Sequence, residues 1–153
     1  MRAKWGGLHA DRTERRLKMI KNYREKIEHE SHGFIQHNGI RIVSADEDGI
    51  VIEAEVTDMS RNAWGVVHGG FLYTMADTAA GAFICIKYER QNVTINGMIN
   101  YLRSAVHSKF LTAVGHEVKV GRHIDFFQVD ITDDTGALIA QAHMNMYFLD
   151  RAE

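Results

Sequence analysis

The sequence predicts an α+β domain in which an antiparallel sheet of five to six strands wraps one long, mostly buried helix. Three observations carry that expectation. Apolar residues at 71, 72, 75, 76, 79, 80, 83 and 84 repeat at helical spacing across a wide stripe. Several flanking stretches alternate with a period of two, most cleanly Leu138 to Phe148. The chain has 153 residues, 45 % hydrophobic and 25 % charged, which is one ordinary domain with a core large enough to need no staple.

The elements follow in order. Residues 1–10 read as a flexible tail, and 11–153 as the domain. From Asp11 to Ser31 the text is dense in charge. Leu17, Ile20, Tyr23 or Arg24, and Ile27 recur near helical spacing, with Thr13 as a candidate cap and Gly33 as a stop. That is a helix with a thin apolar stripe, lying on something larger.

The core runs over 34–149. Phe34–Ala45 reads as a strand, DEDG as a turn, and Ile50–Thr57 as a half-buried strand with Ile50, Ile52, Ala54 and Val56 inward. A loop then leads into the main helix, His68 to about Tyr88. Its second face, Tyr73, Thr74, Asp77, Thr78 and Gly81, is only mildly polar. Strands follow at Val93–Leu102, Lys109–Val120, Ile124–Thr132 and Ala137–Leu149, with DDTG at 133–136 as a hairpin turn. In the last strand Leu138, Ala140, Ala142, Met144, Met146 and Phe148 face one way. A sheet with one apolar face must be covered, and the long helix is its cover.

Composition excludes several functions. A formal net charge of −2 argues against a nucleic-acid partner. His68, Thr74 and Asp77 interrupt the richest apolar window, so no membrane partner is expected. The single cysteine, Cys85, and a polar N-terminus without a leader pattern fit a cytoplasmic protein. His29, His32 and His37 are loosely spaced like metal ligands, but nothing completes a set, so no metal is expected.

The chemistry-bearing residues concentrate at Asn62-Ala-Trp-Gly65-Val-Val-His68-Gly69-Gly70, with Asp77 on the helix behind them. Gly69 and Gly70 open a helix whose first N–H groups lack partners, and the helix dipole there favours a negative oxygen. Glycine lets a ligand carbonyl come close. Asn62 and His68 can donate to that oxygen, or simply hold the turn and cap the helix. Asp77 lies within an apolar helix, where a carboxylate is costly unless paired or put to chemical use. Lys119, Arg122 and His123 around Gly121 can meet phosphates or serve as plain surface charge.

The pattern N-x-x-G-x-x-HGG-x6-D, followed by NVTINGMINYLRSA, resembles the hotdog-fold acyl-CoA thioesterases of the phenylacetate-degradation type, over roughly 34–149. The resemblance implies a hotdog fold hydrolysing a CoA thioester to acid and CoA, with no cofactor beyond the CoA of the substrate. It makes Asp77 the catalytic carboxylate, as general base or nucleophile, and Gly69 N–H the oxyanion donor beside Asn62, His68 and Gly70. Thr94 matches a hydroxyl residue that places water. Asn96, Tyr101, Lys119, Gly121, Arg122 and His123 match acyl- and CoA-contacting positions. Two departures stand out: Ser104 where the family often has proline, and Gly81 where a related subgroup has a hydroxyl. A non-catalytic acyl-CoA-binding hotdog protein and a hotdog dehydratase are the alternatives, although a dehydratase would carry histidine where Asp77 stands.

Gly69 and Asp77 are eight residues apart, about 12 Å along one helix at 1.5 Å per residue. A base must come within about 3 Å of the atom it acts on. One chain therefore does not bring both to one carbonyl. The expectation is a homodimer with helices antiparallel about a two-fold axis, and, by resemblance, a dimer of dimers.

Overall fold

A computed structural model of the chain describes residues 33–149, together with 14, 15, 17, 18, 20–22 and 25. The tail 1–10, Thr13 and most of 23–32 lie outside the described residues. The described residues between 14 and 25 are helical, with Ile20 buried and Leu17 exposed. The thin stripe read there thus narrows to Ile20 among them.

Six strands form one antiparallel sheet: β1 (Ile40–Ala45), β2 (Ile50–Glu55), β3 (Asn92–Tyr101), β4 (Phe110–Val120), β5 (Ile124–Asp133) and β6 (Leu138–Phe148). Their order across the sheet is β1-β2-β4-β5-β6-β3. The chain leaves β2, crosses the sheet with the central helix Gly69–Tyr88, and returns as the far edge strand β3. The helix is therefore the cover that the sheet's apolar face requires. Phe71, Leu72, Met75, Ala76, Ala79, Ala80, Phe83 and Ile84 are all buried, packed with Ile52, Leu111, Phe127, Val129, Ile131 and Met144. By length and apolarity alone this helix could cross a membrane, contrary to the reading of its interrupted window. Its apolar side is occupied by the sheet instead.

Two elements differ from the sequence reading. Phe34–His37 is a single helical turn and not the start of a strand. Asn38 Nδ2 donates to Phe34 O at 2.7 Å, and Gly39 at φ +64 turns the chain into β1. In β6 the alternation puts Leu138 inward and Ile139 outward, but Ile139 is fully buried and Leu138 is exposed. The register slips there, with Ile131 opposite Ala140 and Thr132 opposite Leu138. One extra residue reverses which side chains point inward.

The same device shapes the edge strand. Thr94 pairs with Met146 and Asn96 with Asn145, so Ile95 is extra. Thr94 and Gly97 are three residues apart, yet both stand opposite inward-facing residues of β6, Met146 and Met144. Asn92 and Tyr101 stand opposite the buried Phe148 and Ala140 in the same row.

Candidate active site

That inward row of β3 meets one stripe of the central helix, position by position. Tyr101 Oη donates to Gly69 O at 3.1 Å. Tyr73 places its hydroxyl over Gly97, only 2.5 Å from where a Cβ there would stand. Thr94 Oγ1 donates to Asp77 Oδ1. Asn92 Nδ2 donates to Gly81 O at 3.1 Å and to Cys85 Sγ at 3.3 Å. From Tyr73 to Gly81 the contacts keep step, because four residues of helix rise about 6 Å and two register positions of strand about 6.6 Å; the long Tyr101 side chain spans the wider gap to Gly69.

At the N-terminal end of the stripe, His68 caps the helix, its Nδ1 accepting the Gly70 N–H at 2.9 Å. In neutral imidazole that leaves Nε2 as the N–H donor. Gly70 is small because a Cβ would lie 3.0 Å from that same Nδ1. No acceptor takes the Gly69 N–H among the described residues. Asn62 holds the loop itself: its Oδ1 accepts from Trp64 N at 2.9 Å and Val66 N at 3.2 Å. What it retains for a ligand is its amide NH₂. Arg61, which nothing in the sequence singled out, clamps the loop through Gly65 O and Val106 O, both at 2.7 Å, and Ser108 O at 3.1 Å.

Gly69 opens into a cleft of about 370 Å³ with Val66, Leu72, Tyr101 and the 102–105 segment. Asp77 opens into a second cleft, also about 370 Å³, with Phe34, Tyr73, Gly81, Asn92, Thr94 and Met146. One chain thus brings Asn62, His68, Gly69, Gly70 and Tyr101 together at one end, and Asp77 with Thr94 at the other. Asp77 is half-buried within the single chain, not enclosed as the apolar helix pattern suggested. Tyr73 stands between the two groups. Burial and the neighbouring Asp77 and Tyr101 raise its phenol above the ordinary value, so the hydroxyl stays a donor.

The remaining sequence candidates lie elsewhere. Gly121 closes the β4–β5 hairpin, its N–H donating to Ile124 O at 2.7 Å. His123 stacks on Tyr147, which pairs with Val93, and this sets the Lys119–His123 tip beside the start of β3. Asn96 is exposed and accepts from Asn145 Nδ2 at 2.6 Å. Among the described residues no group of three or more His, Cys, Asp or Glu is arranged to hold a metal ion; His29 and His32 lie outside them.

A helix wrapped by a six-stranded sheet, with an unpaired backbone donor at its start, Gly69 N–H, and a carboxylate two turns on, defines a hotdog thioester hydrolase. The thioesterase superfamily model matches residues 65–140. Human acyl-coenzyme A thioesterase 13 is 32 % identical over 104 residues, covering 67 % of this chain and 74 % of that protein. Acyl-coenzyme A thioesterase PaaI of Escherichia coli is 29 % identical over 102 residues, 67 % and 72 % of the two chains. The solved structure of E. coli PaaI shares the fold at TM-score 0.79, with 21 % identity over 90 % of this chain and 95 % of that one. A hypothetical thioesterase from Streptococcus pneumoniae, solved with coenzyme A, aligns at TM-score 0.69 with 29 % identity, over 74 % and 91 %. The chain belongs to the thioesterase superfamily.

Proposed function

We propose that the protein hydrolyses acyl-CoA thioesters as a homodimer, with Gly69 from one chain and Asp77 from the other serving each site. The observation that carries this is the separation of the two groups into different clefts of one chain, about 12 Å apart along the helix axis. Midway between them lies Tyr73. A two-fold axis bringing Gly69 of one chain to Asp77 of its partner passes beside Tyr73, and therefore beside Gly97 under it. Strand β3 would then pair antiparallel with its own copy about Gly97. Its edge is suited to this: Val93, Ile95 and Met98 are 48–58 % exposed on a strand with one free side.

In that arrangement the thioester carbonyl oxygen accepts the Gly69 N–H, with His68 Nε2–H and the Asn62 amide beside it. Charge developing on this oxygen meets preorganised donors at a helix N-terminus. Asp77, held by Thr94, takes a proton from water as the water oxygen attacks the carbonyl carbon. The tetrahedral intermediate collapses with loss of the CoA thiolate. Alternatively Asp77 attacks directly, expels the thiolate and leaves an anhydride for water to open. The CoA phosphates would meet Lys119, Arg122 and His123 at the hairpin tip. Support for the CoA leaving group comes from the named activity of the human and E. coli relatives and from the coenzyme A in the S. pneumoniae structure. No further cofactor enters the scheme.

A panel of CoA thioesters with a thiol reagent tests the activity: release of CoA is expected, and none from any ester overturns it. Co-expressing His68→Ala with Asp77→Asn chains tests the shared site. Random pairing gives half mixed dimers, each with one intact site, so about a quarter of wild-type activity returns. A demonstrably mixed protein as inactive as either parent refutes the shared site.

A further inference from the structure

The face that the central helix turns to β3 carries a hydroxyl for which the scheme above has no use. Residues 73 and 77 are four apart and share that face. Tyr73 and Asp77 line one cleft, together with Thr74, Thr78, Asn92 and Thr94. The Tyr73 hydroxyl stands where a side chain at 97 would begin, 2.5 Å from the place of its Cβ. Gly97 thus leaves its place in the inward row of β3, next to Thr94, to a phenol that comes from the helix. Met144 Sδ reaches the same spot, and a thioether is a weak acceptor. No acceptor takes the Tyr73 proton among the described residues. The other donors of the cleft are placed differently. Thr94 gives its proton to Asp77, Thr74 to Gly70 O at 2.9 Å, and Asn92 its NH₂ to Gly81 O. Thr78 is buried and stands about 100° round the helix axis from Asp77. Burial, and then the charge of the nearby Asp77, hold the phenol above its ordinary value, so Tyr73 keeps its proton wherever Asp77 is ionised.

We propose that Tyr73 is a further catalytic residue: its hydroxyl donates to the water that Asp77 deprotonates and holds that water facing the acyl carbon. This rests on the thioesterase reading above, and of its two routes it is the general-base one. A base alone fixes one hydrogen-bonding direction of a water and leaves the molecule free to swing about that bond. With one proton on Asp77 and one lone pair taken by Tyr73 Oη–H, the remaining lone pair has a fixed direction. One water bridges oxygens up to about 5.5–6 Å apart at ordinary hydrogen-bond lengths. Four residues of helix rise about 6 Å, so neighbours on one face are at that range. As the water oxygen bonds to the carbonyl carbon, its proton passes to Asp77, and the CoA thiolate leaves when the intermediate collapses. Tyr73 transfers no proton and keeps its own throughout. Tyr73 and Gly97 act as a pair, one supplying the donor and the other the space that lets it reach the row of Thr94.

Tyr73→Phe tests the assignment, because it keeps the ring and removes only the hydroxyl. On a CoA ester that the wild type hydrolyses, kcat should fall about tenfold, which is what one net hydrogen bond contributes, with KM and the urea midpoint unchanged. A residue that only packed would move the midpoint or KM instead. A double-mutant cycle reads the coupling to Asp77: in the Asp77→Asn background, where no base addresses the water, adding Tyr73→Phe should cost less than about threefold. Sedimentation at the assay concentration reports whether the dimer is intact. A kcat above about half of wild type, a loss that falls on KM, or the same tenfold loss without Asp77 each overturns the role of Tyr73. A dimer that loosens while kcat holds gives the hydroxyl to the interface between copies and overturns it too. A wild type that releases CoA from no ester overturns the thioesterase reading and this assignment with it, before any variant is made. Turnover lost in Asp77→Asn but kept in Tyr73→Phe overturns the assignment alone.

Discussion

Asp125→Asn should stabilise the protein at pH 8 and do little at pH 4. Asp125 points into the core from β5, is fully buried, and neither of its carboxylate oxygens has a hydrogen-bond partner. Glu117 faces it from β4, and Lys87 and Tyr88 from the last turn of the helix, both bonded to Glu117. Burial first, and then the Glu117 charge, push its carboxyl up to about 7, against a smaller downward pull from Lys87. The sign follows from the proton count. Between about pH 4 and 7 the unfolded chain has given up this proton and the folded chain holds it. Stability therefore falls as pH rises through that window and levels off above it. A shift from the ordinary 3.8 to about 7 amounts to about 4 kcal/mol at 1.4 kcal/mol per unit, as a ceiling for a carboxylate coupled to Glu117. Asparagine keeps the shape, cannot ionise, and offers Glu117 a donor. Urea unfolding at fixed protein concentration, at pH 4 and pH 8, measures the difference. The variant's advantage should be at least about 1.5 kcal/mol larger at pH 8. An equal effect at both values, within about 0.5 kcal/mol, refutes a buried proton at Asp125.

Other outcomes follow from the same geometry. Asp77→Asn should fold normally and lose about 10²–10⁴-fold in kcat, since the amide cannot take a proton; a variant keeping half the wild-type rate removes Asp77 from the chemistry. Arg122→Ala should raise KM for CoA esters and leave pantetheine esters unaffected, because only the former carry the phosphates; equal effects on both would remove that assignment. Gly97→Ala should cost about 1–3 kcal/mol, as its methyl would lie 2.5 Å from Tyr73 Oη and 2.6 Å from Met144 Sδ. Tyr73→Phe should recover part of that loss, which a double-mutant cycle in urea measures. Glu89→Gly should add about 1 kcal/mol in the same assay, because Glu89 ends the central helix at φ 52, where glycine is unstrained.

The parts of the fold legible in the sequence are those set by local pattern. The apolar stripe placed the central helix at 68–88, and the structure has Gly69–Tyr88. Alternation placed four strands after it to within two residues at either end. His68 as a cap was readable from its place before Gly-Gly, and the pairing of Asp77 with a neighbouring strand from the cost of a lone carboxylate there. What stayed hidden depends on partners distant in sequence. The bulges at Ile95 and Ile139 add one residue to otherwise regular alternation, and nothing local marks them. Phe34–His37 alternates well enough to read as strand, but the Asn38 side chain and Gly39 close it into a turn. Asn92 and Tyr73 look like ordinary strand and helix residues until β3 is laid along the helix. Asp125 breaks no pattern of polarity beside Lys119 and Arg122, and only its neighbours across the sheet reveal that it is buried.

The bulge at Ile95 also bears on how this chain can change. On an ordinary surface strand the loss of one residue shortens an edge. Here it exchanges odd positions for even ones along everything on one side of the deletion. Removing Ile95 would turn either Thr94 and Asn92, or Gly97, Ile99 and Tyr101, away from the helix, and bring Val93 or Met98 round instead. The hydroxyl beside Asp77 and the glycine beneath Tyr73 would no longer share a side. Length variation in β3 is thus confined to steps of two, or to its ends, while single substitutions of its outward residues carry no such constraint. Libraries that recombine this strand among relatives should lose function wherever the crossover changes the count between 94 and 97, even when every residue around the site is retained.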